Sequence, residues 1–422
     1  MPNRKSQNRQ TTASGADSVL ISKIIRPRIL SARLTPESEG APKLMRSFAL
    51  GISVFLLAIP CVAATHPTAT DSVAAKPGAW DAAAAAKYLD SRQEWWAEWP
   101  HAQKDHGTVC VSCHTQVPYA LARPLLRKNL GEQAVSDPER AMLDSIIKRV
   151  NLGQEATTFY TDAEHGPGKT KEARNAEAVN NALILATYDA FNAKNSPAEL
   201  KPASEKAFAA MWALQEQTGP KAGAWIWQDF HFSPWEAPES EYEGAAMAVI
   251  AVETAPGHYA DDQKIQPNLT LLRDYLKREE PNQPLINKIT LLWASAKMSG
   301  LMTEPEKKAL AAELYAKQRE DGGWCLTDLG QGTWKRHDAT PYPTASDGYA
   351  TGITVLALEV NGLGKSPEAK RGLSWILANQ DKAQGLWPAS SVNVKRDPSS
   401  DVGKFMSDAA TGYSVLALEH SR

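Results

Sequence analysis

Two helical patterns alternate along the chain from Trp80 onwards. In the first, apolar residues keep to one face. In the segment from Thr303, for example, Leu310, Leu314 and Tyr315 fall together, while Glu306, Lys307, Lys308, Glu313 and Lys317 take the rest of the circumference, as on a helix with one wet side. In the second pattern, apolar residues run almost all the way round. Ala350-Thr351-Gly352 leads into Val355-Leu356-Ala357-Leu358-Glu359, and Ala410-Thr411-Gly412 leading into Val415-Leu416-Ala417-Leu418-Glu419 repeats it 60 residues later. A helix without a polar face belongs inside a protein. The patterns predict inner helices near 115–130, 176–193, 241–254, 285–299, 350–359 and 410–419. They predict outer helices near 81–98, 137–151, 198–216, 266–279, 304–318 and 367–379.

Four outer helices carry their own start signal. Ser136-Asp137-Pro138-Glu139, Ser196-Pro197-Ala198-Glu199, Thr303-Glu304-Pro305-Glu306 and Ser366-Pro367-Glu368 each set a hydroxyl before an early proline, and the first three add the glutamate of a capping box. Strand-like alternation is scarce, so the fold class is all-α. Six helix pairs at a regular spacing predict an (α/α)6 toroid over residues 80–422, with an open solenoid of pairs as the competing arrangement.

Three links between an outer and an inner helix share a further signature: Gln318-Arg319-Glu320-Asp321-Gly322-Gly323-Trp324, Gln380 with Gly385 and Trp387, and Gln215 with Gly223 and Trp225. Glycine ends a helix in a left-handed turn, the Trp folds back over that helix, and the Gln can satisfy backbone groups freed at its end. These residues resemble the repeats of the squalene-hopene cyclase and protein prenyltransferase superfamily. The resemblance implies an α/α toroid and an apolar central cavity that takes isoprenoids. The chemistry of that superfamily does not carry over. The Asp-x-Asp-Asp motif of the cyclases is absent, and Cys325 follows Gly323-Trp324 rather than standing in the Asp-x-Cys pair that binds zinc in the prenyltransferases.

Charge and the N-terminus add a compartment. Residues 1–64 carry +6 and the remainder −8 of a net charge of −2, and an acidic body argues against nucleic acid as a partner. Residues 1–44 are polar, basic and aperiodic, and read as a disordered extension or one ahead of a true start at Met45. Met45-Arg46, the apolar run Phe48 to Pro60 and Val62-Ala63-Ala64 have the three parts of a secretory signal peptide over 45–64, too short for a stable membrane span. The expected location is periplasmic or otherwise exported.

The strongest local signal is Cys110-Val111-Ser112-Cys113-His114, the attachment pattern of c-type haem. Two thiols one helical turn apart can add to the two vinyl groups of one haem while the adjacent imidazole ligates the iron. A disulfide, or a zinc site completed by Cys325 or another His, is the alternative. The motif stands where a Gln-to-Trp link would stand, after Trp95, Trp96 and Trp99, so the site is built into the first repeat rather than into a separate cytochrome domain. If the ring closes, the sixth ligand comes from beside the first inner helix, and the candidates are Met406 and His165. Met406 is the first choice, although a Met beside Phe405 more often serves core packing than ligation.

Acidic residues gather at the starts of inner helices: Glu177, Glu241, Asp347 and Asp408. They read as helix caps or as a ring of carboxylates at a cavity mouth, which makes Asp347 and Asp408 candidate catalytic groups. The aromatic stretch Trp225, Trp227, Phe230, Phe232 and Trp235, with His231 and Glu236 interleaved, reads either as the substrate-facing loop, which adds His231 and Glu236 as candidates, or as a plug at the barrel end. His337 reads as a solvated loop residue. The functional expectation is an exported haem c protein acting in electron transfer with a redox partner protein, or in oxidation of a bound apolar small molecule. The alternatives are a terpenoid cyclase or prenyltransferase-like enzyme and a non-enzymatic ligand-binding protein without haem.

Overall fold

Short-range capping chemistry sets several helix starts in the computed structural model, which describes residues 79–158, 160, 166–192, 199–330, 332, 334 and 336–422. Among these residues are thirteen α-helices: α1 (Ala82–Glu98), α2 (Gln116–Leu130), α3 (Asp137–Leu152), α4 (Pro167–Asn192), α5 (Pro202–Leu214), α6 (Ser240–Thr254), α7 (Gln266–Glu279), α8 (Leu285–Ser295), α9 (Glu304–Ala316), α10 (Leu326–Leu329), α11 (Gly348–Val360), α12 (Pro367–Ala378) and α13 (Phe405–His420). One small antiparallel ribbon joins β1 (Gln103–Lys104) to β2 (Thr108–Val109). The class is all-α. Both complete capping boxes form, at Ser136 with Glu139 and at Thr303 with Glu306, and Ser366 accepts from the Ala369 amide.

The start expected at Ser196 differs. Residues 193–198 lie outside the described segments, and α5 begins at Pro202 with Lys201 as its N-cap. No Lys201 side-chain cap bond forms. Instead Asp189, on α4, accepts from the Lys201 amide at 2.9 Å and from the Ser204 hydroxyl at 2.5 Å, so a neighbouring helix supplies the cap. α13 also starts earlier than its apolar pattern, at Phe405, which places Asp408 inside the first turn rather than at the cap.

The helices apolar all round pack on one another in the order α2, α4, α6, α8, α11, α13, and α13 lies against α2. The one-sided helices lie outside them: α1 on α2, α5 on α4, α7 on α6, α9 on α8 and α12 on α11. The glycines of the two Ala-Thr-Gly repeats serve this packing. A Cβ on Gly352 would sit 2.7 Å from the Ser414 amide nitrogen of α13, and one on Gly412 would sit 2.5 Å from Pro118 of α2.

Each Gln-to-Trp link ties one outer helix to the next. Trp225, Trp324 and Trp387 are fully buried, and each donates its indole N–H to a carbonyl in the last turn of the preceding outer helix, at Met211, Leu314 and Ile376. The Gln amide reaches the following outer helix: Gln215 donates to the Asn268 carbonyl of α7 and Gln318 to the Glu368 carbonyl of α12. Gln380, after α12, exchanges two bonds with Asp81, the N-cap of α1, at 2.7 and 2.9 Å. Gly385 lies at φ +81° with room for nothing larger, since a Cβ would be 2.1 Å from the Ala84 carbonyl oxygen. The described residues all belong to the unit Ser72–Arg422. The extension 1–44 and the signal segment 45–64 lie outside them. Among the described residues no helix is long and apolar enough to cross a membrane.

Candidate functional site

The segment from Trp99 to Thr115 joins α1 to α2 and is held by contacts different from those of the other links. Trp96, still within α1, donates its indole N–H to the Cys110 carbonyl at 2.9 Å, and the Cys110 amide donates to the Ala102 carbonyl. The buried guanidinium of Arg149 donates to Thr108 Oγ1 at 2.9 Å and pairs with Glu177 of α4. Between the two cysteines, the Ser112 hydroxyl accepts from the Thr115 and Gln116 amides and so starts α2. The residues spanning the two thiols therefore also make a helix cap, which holds Cys113 and His114 at the helix entrance.

Cys110, Cys113, His114, Met406 and Glu236 all line one cavity. It offers about 280 Å³ to the centres of water molecules, and about 1270 Å³ of atom-free space once its open mouth is included. Trp96, Trp99, Phe405, Phe232 and Trp235 form apolar walls, while Gln228, Asn393 and Arg396 add polar ones. The Phe405 ring lies 4.1 Å from the imidazole of His114, with Trp96 at 5.3 Å and Trp235 at 5.9 Å.

The described cysteines are free thiols, so no disulfide joins Cys110 to Cys113. Burial pushes both thiols up, Cys113 to about 12, which keeps them protonated. Cys325 is on another link, with its sulfur 3.5 Å from the Pro343 carbonyl, and does not line the cavity. Among the described residues no group of three or more His, Cys, Asp or Glu side chains is arranged to hold a metal ion, so the zinc alternative finds no donor set there.

Burial, with Arg92 and Arg396 adding repulsion, pushes His114 down to about 3, so the imidazole is neutral at physiological pH. Its Nδ1 lies 2.8 Å from the Thr115 hydroxyl oxygen. Thr115 in turn donates to Asp408 Oδ2 at 2.8 Å. Asp408 is fully buried and also accepts from Tyr88 at 2.7 Å and from Arg92 through Nε at 2.8 Å and Nη2 at 3.1 Å. Desolvation pushes the Asp408 carboxyl up, while Arg92, Tyr88 and Thr115 hold it down, and the two-pronged guanidinium contact is the geometry of a carboxylate. Sequence reasoning missed Tyr88, Arg92 and Thr115. Arg92 and Asp408 stand 316 residues apart, and no local pattern marks them as partners.

The other candidates scatter. Asp347 caps α11, accepting from the Tyr349, Ala350 and Leu326 amides, and burial raises it to about 6 against those bonds. Glu241 pairs with Lys221, and Glu177 with Arg149. Of the four helix-start acids, only Glu177 lines the cavity, so they do not meet as a ring of carboxylates at its mouth. Glu236 does face the cavity, with burial raising its carboxyl to about 7. His231 is turned to solvent, its side chain 76% exposed, and does not line it. Trp225 and Trp227 are structural, whereas Phe232 and Trp235 reach the cavity wall. His337 is exposed and bonded to the His231 carbonyl. His165, the second candidate for a distal ligand, lies outside the described residues.

No protein-family model matches the chain, and no curated protein matches it either.

Proposed function

We propose that the protein is an exported c-type haem protein in which the haem is carried at the mouth of a closed (α/α)6 toroid of the cyclase and prenyltransferase kind. The observation that carries the reading is the meeting, on one cavity, of two free protonated thiols at the C-x-x-C spacing and an adjacent neutral imidazole. The toroid is supported by the cyclic packing order of the inner helices and by the Gln380–Asp81 bonds between the last outer helix and the first.

The residues suit the group chemically. Cys110 and Cys113 would hold it through thioethers, and His114 through Nε2, because Nδ1 is engaged by Thr115. Met406, 4% exposed and on the same cavity, would supply a second protein ligand to the group's iron. Trp96, Phe405 and Trp235 restrict water around the imidazole, and Arg396, with Gln228 and Asn393, gives the cavity donors for the acidic edge of such a group. When bound, haem c supplies one-electron chemistry, so electron exchange with a partner protein is the function this geometry favours. Covalent haem after export through a cytochrome c maturation system, read as a pyridine haemochrome and as added mass, tests the assignment. A mature protein without that mass refutes it.

A further inference from the structure

We infer that Asp408 is a positioning residue for His114, acting through the Thr115 hydroxyl to fix which imidazole nitrogen stays open. This rests on the reading of His114 as the residue presented to the cofactor, but its geometry can be tested without one.

The argument counts protons along a hydrogen-bonded chain. Thr115 has one hydroxyl proton, and at 2.8 Å from Asp408 Oδ2 it is donated to the carboxylate, which is acceptor-only when ionised. The same hydroxyl oxygen is 2.8 Å from His114 Nδ1. With its only proton committed, the oxygen can only accept there, so Nδ1 carries the imidazole proton and Nε2 keeps a bare lone pair. No hydrogen-bond partner meets Nε2 among the described residues, and the imidazole lines the cavity.

Asp408 keeps this direction because its remaining lone pairs are spent on donors. Oδ1 takes Tyr88 Oη–H and Arg92 Nε–H, and Oδ2 takes Arg92 Nη2–H beside Thr115. Arg92 is itself steadied by Asp401, through Nη1 to Oδ1 at 2.9 Å and Nη2 to the carbonyl at 2.8 Å. Arginine has no acceptor atoms, so it cannot reverse the chain. The relay thus draws on α1 (Tyr88, Arg92) and on α13 with the link before it (Asp408, Asp401), which lie at opposite ends of the described chain. His114 takes its metal-binding tautomer only where those two ends meet. The site and the junction of first and last repeats are one structural unit.

The test reads the tautomer directly. The full chain, made without haem-attachment machinery and labelled with 15N-histidine, is examined by long-range 1H–15N correlation at neutral pH, with the His114 signals assigned by their loss in His114→Gln. The parent and Thr115→Ser should show Nδ1–H with an unprotonated Nε2. Thr115→Val, which leaves Asp408, Arg92 and Tyr88 bonded, should lose that preference and show Nε2–H. Asp408→Asn should do the same, because an amide N–H aimed at Thr115 makes the hydroxyl donate to Nδ1. An Nε2–H parent, or an Nδ1–H form that survives both Thr115→Val and Asp408→Asn, overturns the inference. If the folded Asp408→Asn protein cannot be obtained, Thr115→Val decides alone. The expected tautomer pattern in a chain that never retains covalent haem would leave this inference standing and remove the haem reading.

Discussion

The first outer-to-inner link and the three Gln-to-Trp links occupy equivalent places between helices but solve opposite problems. In the three later links the Trp lies in the link and donates back to the outer helix, the Gln reaches the next outer helix, and glycines let backbones touch. In the first link the direction reverses: Trp96 in the helix donates to the Cys110 carbonyl in the link. The later links are clamped at their Gln and Trp ends, and beyond the clamp two of them wall the same cavity through Phe232, Trp235 and Glu236 and through Asn393 and Arg396. The first holds space open and lines it with two thiols and an imidazole. A link can therefore do without the Gln-to-Trp clamp where other groups hold it, as Arg149 and Ser112 do here.

The largest effect that would break this contrast is on stability. Trp324→Ala removes a fully buried indole and strands the Leu314 carbonyl, and should cost about 3–5 kcal/mol in denaturant melts while leaving the 110–114 site competent. Trp96→Phe should cost only about 1 kcal/mol for its lost bond, yet lower the yield of covalent haem. Equal stability losses with equal haem yields would erase the distinction between the links.

Glycines sharpen it next. Gly385→Ala forces a Cβ against the Ala84 carbonyl at positive φ and should cost about 3 kcal/mol. Gly107, in the first link, also has positive φ but faces open space, so Gly107→Ala should cost about 1 kcal/mol, measured in the same melts.

Buried carboxyls give a pH signature of the interior. Burial raises Glu243 to about 8 and Glu236 to about 7, above their values in an unfolded chain. The folded state therefore binds the extra protons, and its stability is fully present below about pH 4.5 from these groups and is lost as pH rises through 7 to 8. Urea melts at pH 5 and pH 8 should differ, and Glu243→Gln should flatten the difference by an amount on the order of a few kcal/mol. An unchanged slope in Glu243→Gln would contradict the assignment. The smallest effect concerns the outer rim, where Thr303→Ala, losing one capping box, should cost about 1 kcal/mol with no change in haem content.

Local chemistry made the helices legible. Ser136 and Thr303 cap residues three positions on, and the apolar-all-round segments declare their burial without a partner being named. The start of α5 falls at Pro202 rather than near residue 198 because its cap, Asp189, comes from another helix. The C-x-x-C-H motif was legible because its five residues are contiguous, whereas the roles of Thr115, Arg92 and Asp408 depend on which chain ends meet. Asp408 illustrates the limit: its sequence neighbours suggested a cap, but the fold turns its carboxylate away from its own helix toward Arg92 and Thr115.

The central claim is that the first link is a covalent haem site, and intact mass with a pyridine haemochrome spectrum tests it most directly. After expression with the cytochrome c maturation machinery, the parent should carry one covalently bound haem. Cys110→Ala with Cys113→Ala should carry none while its thermal unfolding stays close to that of the metal-free parent. A parent without the added mass, or a double variant that keeps it, would contradict the account.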